Sequence, residues 1–274
     1  MTDSTILLGA VAYDPKVVTI WEGMRDYFRE QGAPMDFALF SNYERQVETL
    51  LKGHIDIAWD TPLAHVQVKL RTGARSISLG MRDTDCGFQS KIVVRKDSGI
   101  GSLNDLEGRT LAVGSRDSVQ ARILPLYYLH REKVDLSRVE VLRFDTDLGK
   151  HGDTGTSELD VLAAIHDGLA QAGAVGDLVW VAEQAAGRVD AGKVEVLWTT
   201  PGFNHCMFDA LPTLPEEKVA AFQRVLSSMR WDNPSHRRLM ELEGLHEWVE
   251  AGEEGYQSLF QALEAGFYDG AVTG

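Results

Sequence analysis

The chain has 274 residues, 44% hydrophobic and 25% charged, with a formal net charge of −14. That length exceeds the usual single compact unit and predicts two lobes, while the balance of apolar and charged residues excludes a disordered chain. The net negative charge, with no offsetting block of Lys and Arg, excludes a nucleic-acid partner, and no apolar run is long enough for membrane insertion.

The first residues, Met1-Thr2-Asp3-Ser4-Thr5, run straight into Ile6-Leu7-Leu8 without a basic n-region or a long apolar h-region. The chain as it stands therefore reads as cytoplasmic, and as periplasmic if a signal was removed. From there strands and helices alternate. Thr5 to Ala12 reads as a strand, and Asp14-Pro15 opens a helix through Gln31 with Val17, Ile20, Trp21, Met24, Tyr27 and Phe28 at helical spacing. Met35 to Phe40 and Ile55 to Trp59 are strands separated by a helix from Tyr43 to Lys52, and Pro62 starts a helix to about Arg71. This beat predicts a mainly parallel sheet in each lobe, covered by helices.

A strand from Ser76 to Met81 leads into the polar run Arg82-Asp83-Thr84-Asp85-Cys86-Gly87, and a strand follows from Phe88 to Lys96. The first crossing between lobes is expected here. The stretch Arg109 to Pro125 reads as strand, tight turn and helix start. Its turn, Ser115-Arg116-Asp117-Ser118, places backbone N–H groups and the positive end of a helix dipole at one spot, which suits a small anionic or polar ligand. The plainer reading is that Asp117 or Ser118 caps the helix. Further strands at Val139 to Phe144, Ala172 to Val175 and Val194 to Trp198 alternate with helices at Glu158 to Asp167 and Leu178 to Ala186. Phe203 to Phe208 reads as the return crossing, and helices at Pro215 to Met229, Pro234 to Leu242 and Glu253 to Glu264 close the chain on the first lobe. The predicted division is 1–86 with 205–274, and 87–204.

The residues resemble the substrate-binding proteins of phosphate, phosphite and phosphonate ABC transporters, over Ile6 to about Met229. The resemblance rests on Asp56-Ile57-Ala58-Trp59 followed by Thr61-Pro62, the Ser90 to Arg95 strand, Gly101-Ser102-Leu103-Asn104-Asp105-Leu106-Glu107-Gly108-Arg109, Leu162-Ala163-Ala164-Ile165-His166-Asp167-Gly168, and Leu211-Pro212. It implies the two-lobe type II periplasmic-binding-protein fold, a small-molecule ligand closed between the lobes, and an ABC permease as partner. Two departures stand out. Asp117 puts a carboxylate where neutral donors are expected, and Glu158 stands where a His is expected.

With ligands placed at the carboxyl ends of strands, the candidate ligand-binding residues are Tyr13, Asp60, Thr61, Ser90, Ser115, Arg116, Asp117, Ser118, His151 and Glu158. His151 sits in a glycine-rich loop that could close over a ligand. Cys86 and Cys206 fall on the two crossings and allow three readings: buried small side chains, one disulfide, or a metal site together with His205, Glu158 or Asp60 that suits zinc or iron. Two functions follow. One is a receptor for an oxyanion or phosphonate-like solute. The other is a cytoplasmic, metal-dependent enzyme on the same fold, acting on a small carboxylate.

Overall fold

The computed structural model describes residues 5–145, 155–250 and 252–270. The chain divides into two units, and the polypeptide passes between them at 87/88, 203/204 and 256/257.

The first unit begins with β1 (Ile6–Val11), α1 (Lys16–Glu30), β2 (Met35–Phe40), α2 (Tyr43–Leu51), β3 (Ile57–Asp60), α3 (Pro62–Arg71) and β4 (Ile77–Arg82). Asp14 Oδ1 accepts from the Lys16 N–H at 2.8 Å and Pro15 precedes the helix, so α1 starts where its sequence predicts. All six residues of its predicted apolar stripe are buried. The chain then enters the second unit through β5 (Ser90–Arg95), β6 (Thr110–Val113), α4 (Leu124–Arg131), β7 (Glu140–Arg143), α5 (Thr156–His166), β8 (Ala172–Gly176), α6 (Asp177–Ala185) and β9 (Val194–Thr199). It returns to the first unit as β10 (Met207–Ala210), α7 (Glu216–Leu226), α8 (Pro234–Glu243) and β11 (Trp248–Val249), and ends in the second unit with α9 (Gln257–Glu264). Among the described residues no helix is long and apolar enough to cross a membrane.

The sheets are mixed rather than mainly parallel. In the first unit the order is β11-β4-β10-β3-β1-β2, with β1 parallel to β2 and β3, and β10 antiparallel to both β3 and β4. In the second the order is β7-β6-β8-β5-β9, with β6 parallel to β7 and β8, and β5 antiparallel to β8 and β9. The edge strand β11 is antiparallel to β4, and the two interior exceptions have one cause. β5 and β10 are the strands that follow each passage between units, and each enters its sheet from the opposite end and fills an interior position.

Phe208 on β10 anchors the core of the first unit. Its fully buried ring has its centroid 4.3 Å from that of Trp59, 5.1 Å from Phe222, 5.4 Å from Trp248 and 6.2 Å from Trp21. The second sheet is covered on both faces. Ile92, Val94, Leu111 and Val113 are buried on one side, and Val93 and Ala112 meet Val161, Ala164 and Ile165 of α5 on the other.

The tail departs from the sequence reading, which kept all of 205–274 with the first lobe. The segment 257–270 packs in the second unit instead. Leu259 and Ala262 are buried, the Tyr127 hydroxyl of α4 donates to Gln261 Oε1 at 2.9 Å, and the Phe267 ring lies 5.6 Å from that of Tyr127.

Candidate functional site

The turn after β6 is shaped by Pro125, four residues beyond Ala121. Pro125 has no N–H, so the Ala121 carbonyl lacks the partner an α-helix would give it. It accepts instead from the Gly114 N–H at 3.0 Å. Residues Val119–Ile123 widen into a π-helical turn, closed by Ile123 N–H to Ser118 O at 3.0 Å, and the Ser118 hydroxyl caps it by accepting from the Ala121 N–H at 3.1 Å.

This arrangement uses most of the amides that the sequence reading offered to a ligand. The Ser115 N–H donates to Ser157 Oγ at 3.1 Å, the Arg116 N–H to Asp145 Oδ1 at 2.7 Å, and the Ser118 N–H to Ser115 O at 3.0 Å. What remains open is side chain. Among the described residues, seven buried side-chain polar atoms have no hydrogen-bond partner, and four of them belong to Ser90, Ser115, Arg116 and Asp117. Ser90 begins β5 opposite Gly176, the last residue of β8, and Ser115 follows the end of β6. Both hydroxyls therefore sit at the carboxyl end of the parallel strands. Buried polar atoms are nearly always paired, which makes the end of β6 and the start of β5 the candidate binding surface of the second unit.

Glu158 is committed internally. It is buried on α5, and its oxygens accept from Gln120 Nε2 at 3.0 Å and from the Gly176 N–H at 2.5 Å. It fixes the end of β8 against the π-helical turn. Asp177, next along, accepts from the Gln89 N–H at 3.0 Å and pairs with Lys91 Nζ at 2.6 Å. His151 lies outside the described residues.

In the first unit, Asp60 ends β3 fully buried. Gln46 Nε2 donates to its Oδ1 at 2.7 Å and to the Trp59 carbonyl at 2.8 Å. Burial, and then the neighbouring Asp209 carboxylate, push the Asp60 carboxyl well above the usual carboxylate range, against the pull of Gln46. This setting favours the protonated form of Asp60, with the Asp209 carboxylate as its neighbour. Asp209 in turn binds His65 Nδ1 at 2.8 and 3.0 Å. Asp60, expected as a ligand group, is thus part of an internal network, and Thr61 caps α3. Tyr13 follows β1 and is 38% exposed as a residue. Desolvation, then Glu243 and Cys206, push its phenol upward.

The cysteines do not behave alike. No disulfide joins them. Cys86 is exposed, with its thiol 3.8 Å from the Arg82 carbonyl. Cys206 is buried, with Sγ 3.2 Å from His205 Nδ1, and that nitrogen lies 3.3 Å from Asp85 Oδ1. The expected metal set of Cys86, His205, Cys206 and Glu158 is therefore corrected. His205 and Cys206 are brought together with Asp85, Cys86 points elsewhere because adjacent residues project in different directions, and Glu158 belongs to the second unit. Asp85 is fully buried under the fork of Arg82, whose Nε and Nη2 donate to its two oxygens at 2.6 and 2.8 Å. That guanidinium, with His205, holds the Asp85 carboxyl far below the usual range despite its burial.

The sequence model of the family described as the periplasmic substrate-binding protein of the phosphonate ABC transporter matches residues 10–256. Over 228 residues the chain is 23% identical to the probable ABC transporter phosphite binding protein PhnD1 of Prochlorococcus marinus (strain MIT 9301), covering 80% of this chain and 74% of that protein. The fold is that of the structure of Prochlorococcus marinus PhnD1 in complex with methylphosphonate, with a TM-score of 0.74, 21% identity, and coverage of 96% of this chain and 98% of that one. It is also that of the periplasmic aliphatic sulphonate binding protein SsuA of Escherichia coli, with a TM-score of 0.61, 18% identity, and coverage of 96% and 84%. These matches support the receptor reading of the sequence and not the enzyme alternative.

Proposed function

The chain belongs to the family of periplasmic substrate-binding proteins of phosphonate ABC transporters, and from that premise we propose that its second unit holds a small phosphonate-type oxyanion through the hydroxyls of Ser90 and Ser115. The supporting observation is the group of unfilled buried polar atoms at the carboxyl end of β6 and β8. Each hydroxyl is a donor that rotates to suit its partner, and a bond to a charged oxygen contributes about 1.5–3 kcal/mol.

Asp117 gives the site a preference. Its unpartnered Oδ1 repels a fully ionised oxyanion but accepts a hydrogen bond from one that keeps a P–OH. A phosphonate or phosphite monoanion offers that hydroxyl, whereas a sulfonate has none. A site that presents a buried acceptor rejects the analogue that cannot donate to it. The loaded protein would then deliver its solute, on the periplasmic side, to an ABC permease.

Isothermal titration with methylphosphonate and methanesulfonate tests this reading. Wild type should bind the phosphonate at least tenfold more tightly. Asp117→Asn should narrow the gap, and Ser115→Ala should weaken methylphosphonate binding by about 10- to 150-fold, the range of one charge-assisted hydrogen bond. Equal affinity of the wild type for both compounds, or no phosphonate binding at all, would refute it.

A further inference from the structure

Asp85, His205 and Cys206 form a second cluster, entirely within the first unit and outside the site proposed above. We propose that these three side chains are a site for a zinc-type divalent transition metal.

The geometry is that of a ligand set. The three donor atoms lie within 4.8 Å of one another, with His205 Nδ1 3.2 Å from Cys206 Sγ and 3.3 Å from Asp85 Oδ1. Zinc bonds of roughly 2.0–2.3 Å to nitrogen, oxygen and sulfur place tetrahedral ligand pairs about 3.4–3.6 Å apart. The two His205 spacings need only a small expansion to reach these values, and Asp85 and Cys206 lie within 4.8 Å of each other. Thiolate, imidazole and carboxylate together suit a borderline-soft ion and disfavour magnesium or calcium. Three protein ligands leave a fourth position for water.

The surroundings hold the donors in place. The His205 N–H donates to the Asp85 carbonyl at 2.9 Å, and the Tyr256 hydroxyl donates to the His205 carbonyl at 2.8 Å. Arg82 orients Asp85 from behind, and each carboxylate oxygen keeps a lone pair beyond the one that Arg82 engages. Charge also balances. Arg82 is near Glu243, with Nη1 3.4 Å from Oε2, so a dication with Arg82 brings three positive charges, matched by Asp85, Glu243 and the Cys206 thiolate. Binding replaces the S–H bond with an S–metal bond and releases that proton to solvent. The ion would staple the segment leaving the first unit, 83–86, to the segment returning to it, 204–206.

Cobalt(II) is the probe, added to chelator-treated full-length protein without phosphonate. The expected result is one equivalent bound, with a near-ultraviolet thiolate-to-cobalt band, tetrahedral visible bands, and displacement of both by zinc. Cys206→Ser should abolish the thiolate band, His205→Ala should weaken metal binding at least tenfold, and Cys86→Ser should leave both bands unchanged. Near-ultraviolet circular dichroism establishes that each variant is folded, and His205→Ala serves if Cys206→Ser is not. Absence of the thiolate band in wild type, its survival in folded Cys206→Ser, or its loss in Cys86→Ser would overturn the assignment.

Discussion

Asp60→Asn should stabilise the protein at neutral pH, and by an amount that grows as pH rises. The wild-type carboxyl is fully buried, accepts from Gln46 on one oxygen, and is raised by burial and by the neighbouring Asp209 carboxylate. Its native pKa is raised above that of the unfolded chain, about 3.9. Below that pH both states are protonated and the group has no effect. Above it the unfolded chain releases the proton while the native state retains it, so stability falls by about 1.4 kcal/mol per pH unit until the raised native pKa is passed. An asparagine keeps the acceptor for Gln46, supplies a permanent N–H donor to Asp209, and has no proton to lose. Groups outside the Asp60, Asp209 and His65 network titrate equally in both proteins, so the difference between them reports on that network. Urea unfolding at pH 5, 6, 7 and 8 measures it, followed by fluorescence. Four of the six tryptophans, Trp21, Trp59, Trp231 and Trp248, lie in the first unit and report on it. A variant less stable than wild type throughout, or a difference that stays flat with pH, would refute the shared-proton arrangement.

Phe208→Ala empties a position surrounded by four aromatic rings and should cost about 3–5 kcal/mol, read as a lower urea midpoint for the same tryptophan signal; a loss under 1 kcal/mol would contradict the packing described. Glu158→Ala should destabilise by about 1–3 kcal/mol for each buried donor left unpaired, the Gly176 N–H and the Gln120 amide. Glu158→Gln keeps an acceptor for Gly176 and should cost less; equal melting temperatures for Glu158→Ala and wild type would show that the carboxylate is not structural.

Much of the fold was legible because period and punctuation agree along the chain. Asp14-Pro15 and Thr61-Pro62 start helices, and Met35–Phe40 forms the strand its residues predict. The two-residue β11 is too short to leave a pattern. The place of α9 could not be read either: an amphipathic stripe such as Leu259 and Ala262 shows that a helix is covered, not by what. The site was half legible. The turn after β6 stands out as small and polar, but that its amides are bound internally depends on Pro125, Ser157 and Asp145, which are brought there only by folding. Asp85 was passed over for Cys86 because a carboxylate in a polar run reads as solvated. Its burial depends on the fork of Arg82, three residues back at the end of β4.

The location of α9 bears on how the protein can be cut. A fragment spanning 88–203 looks like a whole domain on the linear map, yet it omits the helix whose Leu259 and Ala262 are buried in the second unit and whose Gln261 meets Tyr127. Expressed alone, such a fragment would present a greasy scar along α4 and invite aggregation. Grafting 257–270 back through a flexible tether should supply the lost wall, whereas the other half needs a splice from 87 to 204 to become one continuous chain.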